Sequence, residues 1–260
     1  MKEINNQSRC LWDELAEDWD KRMGNESNSF HREIIRPSTL KLLNPQKGEH
    51  ILDVACGNGN FSRYLAALGV KVTAFDYSAE MIKYAKGRSK DNAELINYQT
   101  ADATKYDELM GLQGDKFFDK AVSNMAVMDI SDIRPLLQAV YDMLDNGGIF
   151  VFSGIHPCFQ TPNMKKITVV NDYSGEREIL TGIQTHEYIE PKLHETYVLA
   201  NNSKKAYHFH RPLSMILNDC FAVGFVLDGV EEPVFQKPNN IREFDWYDIP
   251  PAIVLRMRKV

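Results

Sequence analysis

The residues best placed to do chemistry lie where a buried strand meets a glycine-containing turn. The run 51–55 carries Asp53 and is followed by Gly57 and Gly59. Glycine lets the backbone adopt positive φ and approach a ligand closely, and a helix that begins after the turn offers free N–H groups. The pattern predicts a ligand site at the end of the strand, although a tight strand-to-helix turn without a ligand would use the same glycines.

Asp53 narrows the choice of ligand. A dinucleotide-binding turn faces a pyrophosphate, which a neighbouring carboxylate would repel, and the third glycine of that motif is replaced here by Ser62. A ligand that carries an ammonium and a sulfonium instead of phosphates is compatible with the carboxylate. The turn therefore favours S-adenosylmethionine over a nicotinamide dinucleotide.

A second carboxylate follows the next apparent strand. Asp76 lies 23 residues after Asp53 (76 minus 53) and ends the apolar run 70–75. A carboxylate at the end of this neighbouring strand can accept hydrogen bonds from both ribose hydroxyls of an adenosine ligand. An exposed turn aspartate is the alternative, but two acids at the ends of successive strands favour a shared ligand.

Strand-like and helical patterns alternate through the first 153 residues. Such alternation predicts parallel strands joined by right-handed crossovers, hence an α/β doubly wound sheet. The expected strands are 50–55, 70–75, 93–99, 118–123 and 148–153, with helices at 11–23, 31–43, about 60–68, 78–87 and 133–144, and with 212–223, 225–230 and 252–258 as the last helix and strands.

Residues 154–206 break this rhythm with turn signals and the strand-like runs 166–170 and 196–199, which predicts an inserted cover or β-rich extension. No linker-like composition separates the insertion. We therefore expect a single domain over 1–260, with a helical N-terminal lid (1–45), a cofactor-binding core (46–153), the insertion (154–206) and the end of the sheet (207–260).

Five segments, taken together, resemble the class I S-adenosylmethionine-dependent methyltransferase superfamily, in its small-molecule branch. They are DVACGNGNFS, VTAFDYSAEMIKYA, TADAT, FDKAVSNMAVMDI and LLQAVYDMLDNGGIFVFS, in that order and spacing. The resemblance covers about residues 47–153. Ala55 departs from it, because many members have the first glycine of the turn there. The resemblance implies a seven-stranded, mostly parallel Rossmann-like sheet with an antiparallel last strand, and S-adenosylmethionine as cofactor with S-adenosylhomocysteine as product.

The resemblance also implies a role for individual residues. Around the methionine part of the cofactor it places Asp53, Ala55, Gly57 and Gly59, and beside the methionine and the methyl acceptor it places Asn124 and Met125. Near the nucleoside it places Asp76 on the ribose, Tyr77 and Met81 beside the adenine, Asp102 on the adenine amino group and the Ala103 backbone N–H on the ring. Trp19, in the N-terminal lid, would shield the sulfonium or contact the adenine, although an amphipathic helix packing its tryptophans explains it equally well.

The substrate side is less defined by the sequence. Methyl transfer is an in-line displacement that needs a general base only if the acceptor must lose a proton. His156, after the fifth strand, is the first candidate for that base, and a structural loop histidine is the alternative. Tyr207, His208 and His210 are candidates for substrate binding, and we expect no metal, since no spacing supplies a third ligand.

Composition excludes some classes of protein. The formal charge of -6 disfavours nucleic acid as a partner. The cysteines are scattered without a CxxC pair, and no apolar run approaches the ~20 residues that cross a bilayer. We expect a cytoplasmic methyltransferase with a small-molecule acceptor and no membrane partner. A non-catalytic adenosylmethionine-binding protein and, less favoured, an NAD-dependent oxidoreductase or an RNA or protein methyltransferase remain as alternatives.

Overall fold

A computed structural model describes residues 2–173, 175, 178–199, 203–236 and 246–260. The N-terminal part is helical: α1 spans Lys2–Met23, a π-helical turn spans Phe30–Ile35, and α2 spans Arg36–Leu43. Helix α2 ends at Asn44, which takes the left-handed conformation that asparagine tolerates at a helix end.

Strands and helices then alternate as the sequence predicts. The elements up to the insertion are β1 (His50–Val54), α3 (Asn60–Ala67), β2 (Lys71–Asp76), α4 (Ala79–Arg88), β3 (Ile96–Thr100), α5 (Tyr106–Met110), β4 (Phe118–Ser123), α6 (Arg134–Met143) and β5 (Leu144–Ile155). Two hairpins follow, with strands β6 (Lys165–Asn171), β7 (Glu178–Gln184), β8 (Lys192–Thr196) and β9 (Ala206–His210), and then come α7 (Leu213–Ala222), β10 (Phe225–Glu231) and β11 (Ala252–Lys259).

Seven strands form one sheet in the order β10-β11-β5-β4-β1-β2-β3. The neighbours from β5 to β3 pair in parallel, whereas β11 pairs antiparallel with both β5 and β10. The predicted fold class, a doubly wound Rossmann-like sheet with an antiparallel last strand, is confirmed. The carboxyl ends of β1, β2, β3 and β4 consequently meet at one edge of the sheet.

Both faces of this sheet are covered, which explains the continuous apolar runs of its central strands. Ile51 and Leu52 are adjacent in β1 and point to opposite faces. Ile51 packs with Leu65 of α3 on one face, and Leu52 packs with Leu136 of α6 on the other; all four side chains are no more than 1% exposed. Packing on two sides holds β1 rigidly beneath the turn that follows it.

Helix α1 is longer than the sequence predicts, since it begins at Lys2 and not near residue 11. Its first turns lack an apolar stripe and are held by polar bonds instead. Asn5 donates to Asp102 (2.8 Å), and the Ser8 hydroxyl lies 2.9 Å from that of Tyr77. Hydrophobic periodicity cannot reveal a helix that is docked through hydrogen bonds.

The insertion consists of two hairpins, but one of its strands was misplaced. The run 196–199 is not a strand, because β8 ends at Thr196. Leu199 is instead buried against Leu15 and Ala206, with Trp12 and Trp19 packed around them. The second hairpin also continues to His210, beyond the expected boundary at residue 206. Within the described ranges, no helix has the length and apolar character needed to cross a membrane.

Candidate functional site

A cavity lies at the edge of the sheet where β1, β2 and β4 end, and α1 covers it. It encloses about 1110 Å³, including the solvent at its mouth. Eleven residues singled out from the sequence line it: Trp19, Asp53, Ala55, Gly57, Asp76, Tyr77, Met81, Asp102, Ala103, Asn124 and Met125.

The turn between β1 and α3 is built from left-handed residues. Ala55, Gly57 and Gly59 have φ values of 52°, 55° and 74°. A side chain at Gly59 would collide with the hydroxyl of Tyr98, so Gly59 shapes the turn without lining the cavity. Ala55 holds a conformation that costs a non-glycine residue energy, as residues at functional sites often do. This strain explains why glycine is the commoner residue at that place.

Two buried carboxylates face the cavity beside this turn. The Asp76 carboxylate accepts hydrogen bonds from the backbone N–H groups of Gly57 and Ser78, both at 2.9 Å. Asp53 accepts a hydrogen bond from the hydroxyl of Ser62. Burial raises the pKa of Asp53 to about 7 and that of Asp76 to about 6. Neither forms an ion pair among the described residues, and a positively charged ligand would lower both pKa values by favouring the ionised carboxylates.

Residues that follow β2 and β3 also line the cavity. Asp102 follows β3 and accepts hydrogen bonds from Asn5 and from the backbone N–H of Thr104 (2.9 Å). Tyr77 and Met81 stand beside it at the start of α4, where the Ser78 hydroxyl accepts from the Met81 N–H (3.1 Å) and caps the helix. The polar residues of α1 therefore close onto the loops that carry the candidate ligand-binding residues.

The end of β4 and the aromatic lid complete the cavity. Asn124 accepts a hydrogen bond from the Thr39 hydroxyl (2.8 Å), and Met125, at φ 55°, donates its N–H to the carbonyl of Ser153 (3.1 Å). The Trp19 ring meets that of Trp12 edge-on, with centroids 5.4 Å apart. Trp12 and Trp19 of α1 therefore line the cavity and also pack against each other.

Several lining residues were missed by sequence reasoning. They are polar or aromatic side chains without a motif of their own: Asn5, Trp12, His31, Arg36, Asn60 and Asp129. Asn60 and Asp129 do lie within segments that carry the family resemblance, so their positions could have been flagged. His31 and Arg36 stand in a stretch whose sequence gives no sign of a site.

Three of these residues carry buried polar atoms without a hydrogen-bond partner among the described residues. The atoms are Trp12 Nε1, Asn60 Oδ1 and Asp129 Oδ1. Buried polar groups are nearly always paired, so unpaired ones around a cavity indicate that a ligand satisfies them. Asp129 Oδ1 has only an ion-pair contact, 3.2 Å from Nε2 of His208.

The four residues proposed for the substrate side do not line this cavity. His156 is buried, with Nε2 2.8 Å from a Glu232 carboxylate oxygen and Nδ1 accepting from the Cys158 N–H. Because both ring nitrogens are occupied, this geometry gives a catalytic role for His156 no support, and that role stays a prediction. His210 bonds the Tyr188 carbonyl (2.8 Å).

Tyr207 lies on the outside of α1, with its hydroxyl 3.3 Å from the side-chain oxygen of Gln7. Only His208 approaches the cavity, through Asp129. Substrate-binding roles for these residues are untested. In the described part of the chain, no group of three or more His, Cys, Asp or Glu side chains is arranged to hold a metal ion.

Comparison with known proteins identifies the fold as a methyltransferase fold. A family model described as a methyltransferase domain matches residues 52–152. The matched domain and the solved neighbours are S-adenosylmethionine-dependent methyltransferases, and the sheet order of this chain agrees with the class I superfamily. An S-adenosylmethionine-dependent methyltransferase from Mesorhizobium loti is 25% identical, with a TM-score of 0.63 over 85% of this chain and 96% of that one.

Two relatives by sequence extend the comparison. A protein of unassigned function from Haemophilus influenzae is 25% identical over 89% of both chains. A ubiquinone biosynthesis O-methyltransferase from Coxiella burnetii is 29% identical over 60% of this methyltransferase, and the match spans 65% of the relative's own length.

The cofactor of this methyltransferase is S-adenosylmethionine, and its cavity fits that molecule. The cofactor has hydroxyl and amino donors, an ammonium, a sulfonium and one carboxylate. The cavity offers four aspartates, the unpaired Asn60 oxygen and the cation of Arg36, which is the sole Lys or Arg side chain found among its described lining residues. No feature of the turn calls for a pyrophosphate, which sets the NAD-dependent alternative aside.

Proposed function

We propose that this methyltransferase transfers the methyl group of S-adenosylmethionine to a small-molecule acceptor by in-line displacement. The observation that carries the proposal is one cavity whose lining combines two kinds of side chain. Acidic side chains lie at the strand ends, and Trp12, Trp19, Phe61 and Ile35 add apolar and aromatic surface to the same cavity. An apolar pocket with few polar groups is suited to a small organic molecule.

We assign the cofactor-binding residues by their places in this cavity. Asp76 accepts from the ribose hydroxyls, and Asp102 and the Ala103 backbone bind the adenine between Tyr77 and Met81. The methionine part lies along the turn with Asp53, Ala55 and Gly57, near Asn124, Met125 and Trp19, and Gly59 contributes by shaping that turn. To these we add Arg36 for the carboxylate, as the one Lys or Arg among the described lining residues, and Asn60 for the ammonium, because its buried Oδ1 has no hydrogen-bond partner among the described residues.

When bound, the cofactor supplies a methyl group on a sulfonium, which is already a good leaving group. The chain's own contribution is therefore alignment of the acceptor and exclusion of water. Trp12 and Trp19 sit on the cavity while their other faces pack against Leu199 and Ala206 of the insertion. Because the insertion packs on the lid that lines the cavity, we treat residues 1–260 as one methyltransferase domain.

A small acceptor is also the class that the comparisons support best. The relative from Coxiella burnetii is named for O-methylation in ubiquinone biosynthesis. The formal charge of -6 offers no broad basic surface for RNA.

The direct test is an acceptor screen with isotope-labelled cofactor. The protein is incubated with methyl-labelled S-adenosylmethionine and a protein-free bacterial metabolite extract, and products are identified by mass spectrometry. We expect one or a few small molecules to gain a labelled methyl group. Asp91→Ala, an exposed acid away from the cavity, serves as the matched control for Asp76→Ala, which should abolish transfer.

Two other outcomes would overturn the proposal. Label found in protein or RNA would identify a macromolecular acceptor. Tight binding of S-adenosylhomocysteine without labelled product in any extract would instead support a non-catalytic binding protein.

A further inference from the structure

His31 is an unassigned histidine in the cavity wall. It lies in the π-helical turn between α1 and α2, and its ring is only partly exposed. Trp19 meets it edge-on with centroids 6.2 Å apart, and Phe30 does so at 5.7 Å. Phe30 in turn belongs to an apolar cluster with Met125. His31 is therefore held between the lid tryptophan and, through Phe30, the apolar cluster that includes Met125 after β4.

The hydrogen bonds of His31 fix which ring nitrogen is open. The Asn28 side-chain oxygen accepts from the His31 backbone N–H (2.9 Å) and lies 2.9 Å from Nδ1. An amide oxygen can only accept, so Nδ1 carries the proton and Nε2 carries a lone pair. Within the described residues, no protein group hydrogen bonds to Nε2. The cavity wall thus presents one open hydrogen-bond acceptor among aromatic rings.

The charge state of His31 limits what it can bind. Burial lowers the pKa of His31 to about 4, and the positive charge of Arg36 contributes to this. The imidazole is accordingly neutral at physiological pH and accepts a hydrogen bond without offering positive charge. The lone pair on Nε2 would repel the oxygen of a carboxylate or phenolate, whereas it can accept a hydrogen bond from a neutral hydroxyl group.

We propose that Nε2 of His31 accepts a hydrogen bond from the hydroxyl of a phenol-type methyl acceptor, whose ring packs against Trp12, Trp19 and Phe61. His31 is then a catalytic residue, and the substrate class is a neutral aromatic alcohol. The inference rests on the proposed function and names its acceptor. Flat rings suit these walls because aromatic side chains pair edge-on or offset with other rings.

The same hydrogen bond accounts for the proton that must leave. The hydroxyl oxygen forms a bond to the methyl carbon, the carbon–sulfur bond breaks with its electron pair left on sulfur, and the hydroxyl proton passes to Nε2 and on to solvent. A protonated aryl ether is a strong acid, so even a weakly basic imidazole takes this proton. The methyl ether product has no O–H for Nε2, which favours its release.

The test compares phenol with anisole, which differ only by the methyl group on oxygen. Binding of each to protein saturated with S-adenosylhomocysteine is followed by ligand-observed NMR titration. We expect phenol to bind roughly 3- to 10-fold more tightly, as one hydrogen bond to an otherwise unpaired acceptor provides. His31→Phe should abolish that preference, and His31→Gln, which restores an acceptor oxygen, should recover part of it.

His50→Phe is the matched control. His50 is also partly buried, bonds Thr73 at 2.9 Å and does not line the cavity, so its replacement should leave the preference for phenol intact. Affinity for S-adenosylhomocysteine, measured by calorimetry, should stay within about 2-fold in all three variants.

Three results would overturn the inference while leaving the proposed function standing: equal binding of phenol and anisole, no binding of either, or a loss of cofactor affinity in His31→Phe, which would place His31 on the cofactor. Failure of the wild-type protein to bind S-adenosylhomocysteine would instead refute the proposed function itself.

Discussion

Removal of the Asp76 carboxylate tests the ribose assignment most directly. Asp76 is 6% exposed, and each of its backbone hydrogen bonds uses only part of the accepting capacity of a carboxylate. Enough lone pairs remain for two hydroxyl donors from the cavity. Asp76→Ala also removes the two backbone bonds, so a fall in cofactor affinity alone could come from a displaced turn.

A comparison of two nucleosides separates these effects. Adenosine and 2′,3′-dideoxyadenosine differ only in the ribose hydroxyls, so damage to the turn affects both equally. Hydrogen bonds to a charged group contribute about 1.5–3 kcal/mol each. Two of them give about 3–6 kcal/mol, which corresponds to roughly 10²- to 10⁴-fold in Kd.

The assay is calorimetric titration of both nucleosides into wild-type protein and Asp76→Ala. We expect the wild-type protein to prefer adenosine by at least about 100-fold, and the variant to bind the two with nearly equal affinity. The reasoning is refuted if the wild-type protein binds both equally, or if the preference survives in Asp76→Ala.

Three further predictions concern the pH response, the lid and the second histidine. The pKa of Asp53 is about 7 in the folded protein and near 3.9 in an unfolded chain. Between these two pH values the folded state binds more protons than the unfolded state, so the stability of the cofactor-free protein should fall as pH rises. Asp53→Asn should flatten this dependence of stability on pH in thermal melts between pH 5 and pH 8. Arg88 of α4 bonds the carboxylate of Asp20 in α1, so Arg88→Met should speed amide hydrogen exchange in α1 and weaken S-adenosylhomocysteine binding, and unchanged exchange would show that this pair does not hold the lid. Because His156 and Glu232 bond each other outside the cavity, His156→Ala should lower the melting temperature but leave cofactor affinity unchanged; a large drop in affinity would mean that the two regions are coupled.

Some residues that line the cavity can be predicted from neighbouring sequence, and others cannot. Asp53, Gly57 and Asp76 could be found because strand ends and glycine turns are encoded by neighbouring residues, and parallel strands bring their carboxyl ends to one edge. His31 could not be found this way. Its role depends on Asn28, Trp19 and Arg36, whose convergence on the cavity is a property of helix docking.

The substrate side shows what chain position leaves open. His156 follows β5 at the expected edge of the sheet, but it does not line the cavity, and its ring bonds Glu232. The position of His156 in the chain predicts which loop carries it but not its side-chain contacts. Its rotamer and hydrogen-bond partner depend on packing with residues far away in sequence.

The sequence by itself determined the order of strands and helices, the parallel sheet and the acidic, glycine-containing edge of that sheet. These features follow from periodicity and turn chemistry, which act over a few residues. Only the tertiary structure decided that α1 starts at Lys2, that Leu199 packs with the lid tryptophans, and that His31 lines the cavity with its Nδ1 held by Asn28. Those outcomes depend on hydrogen bonds and packing between segments up to about two hundred residues apart, for which no local pattern exists.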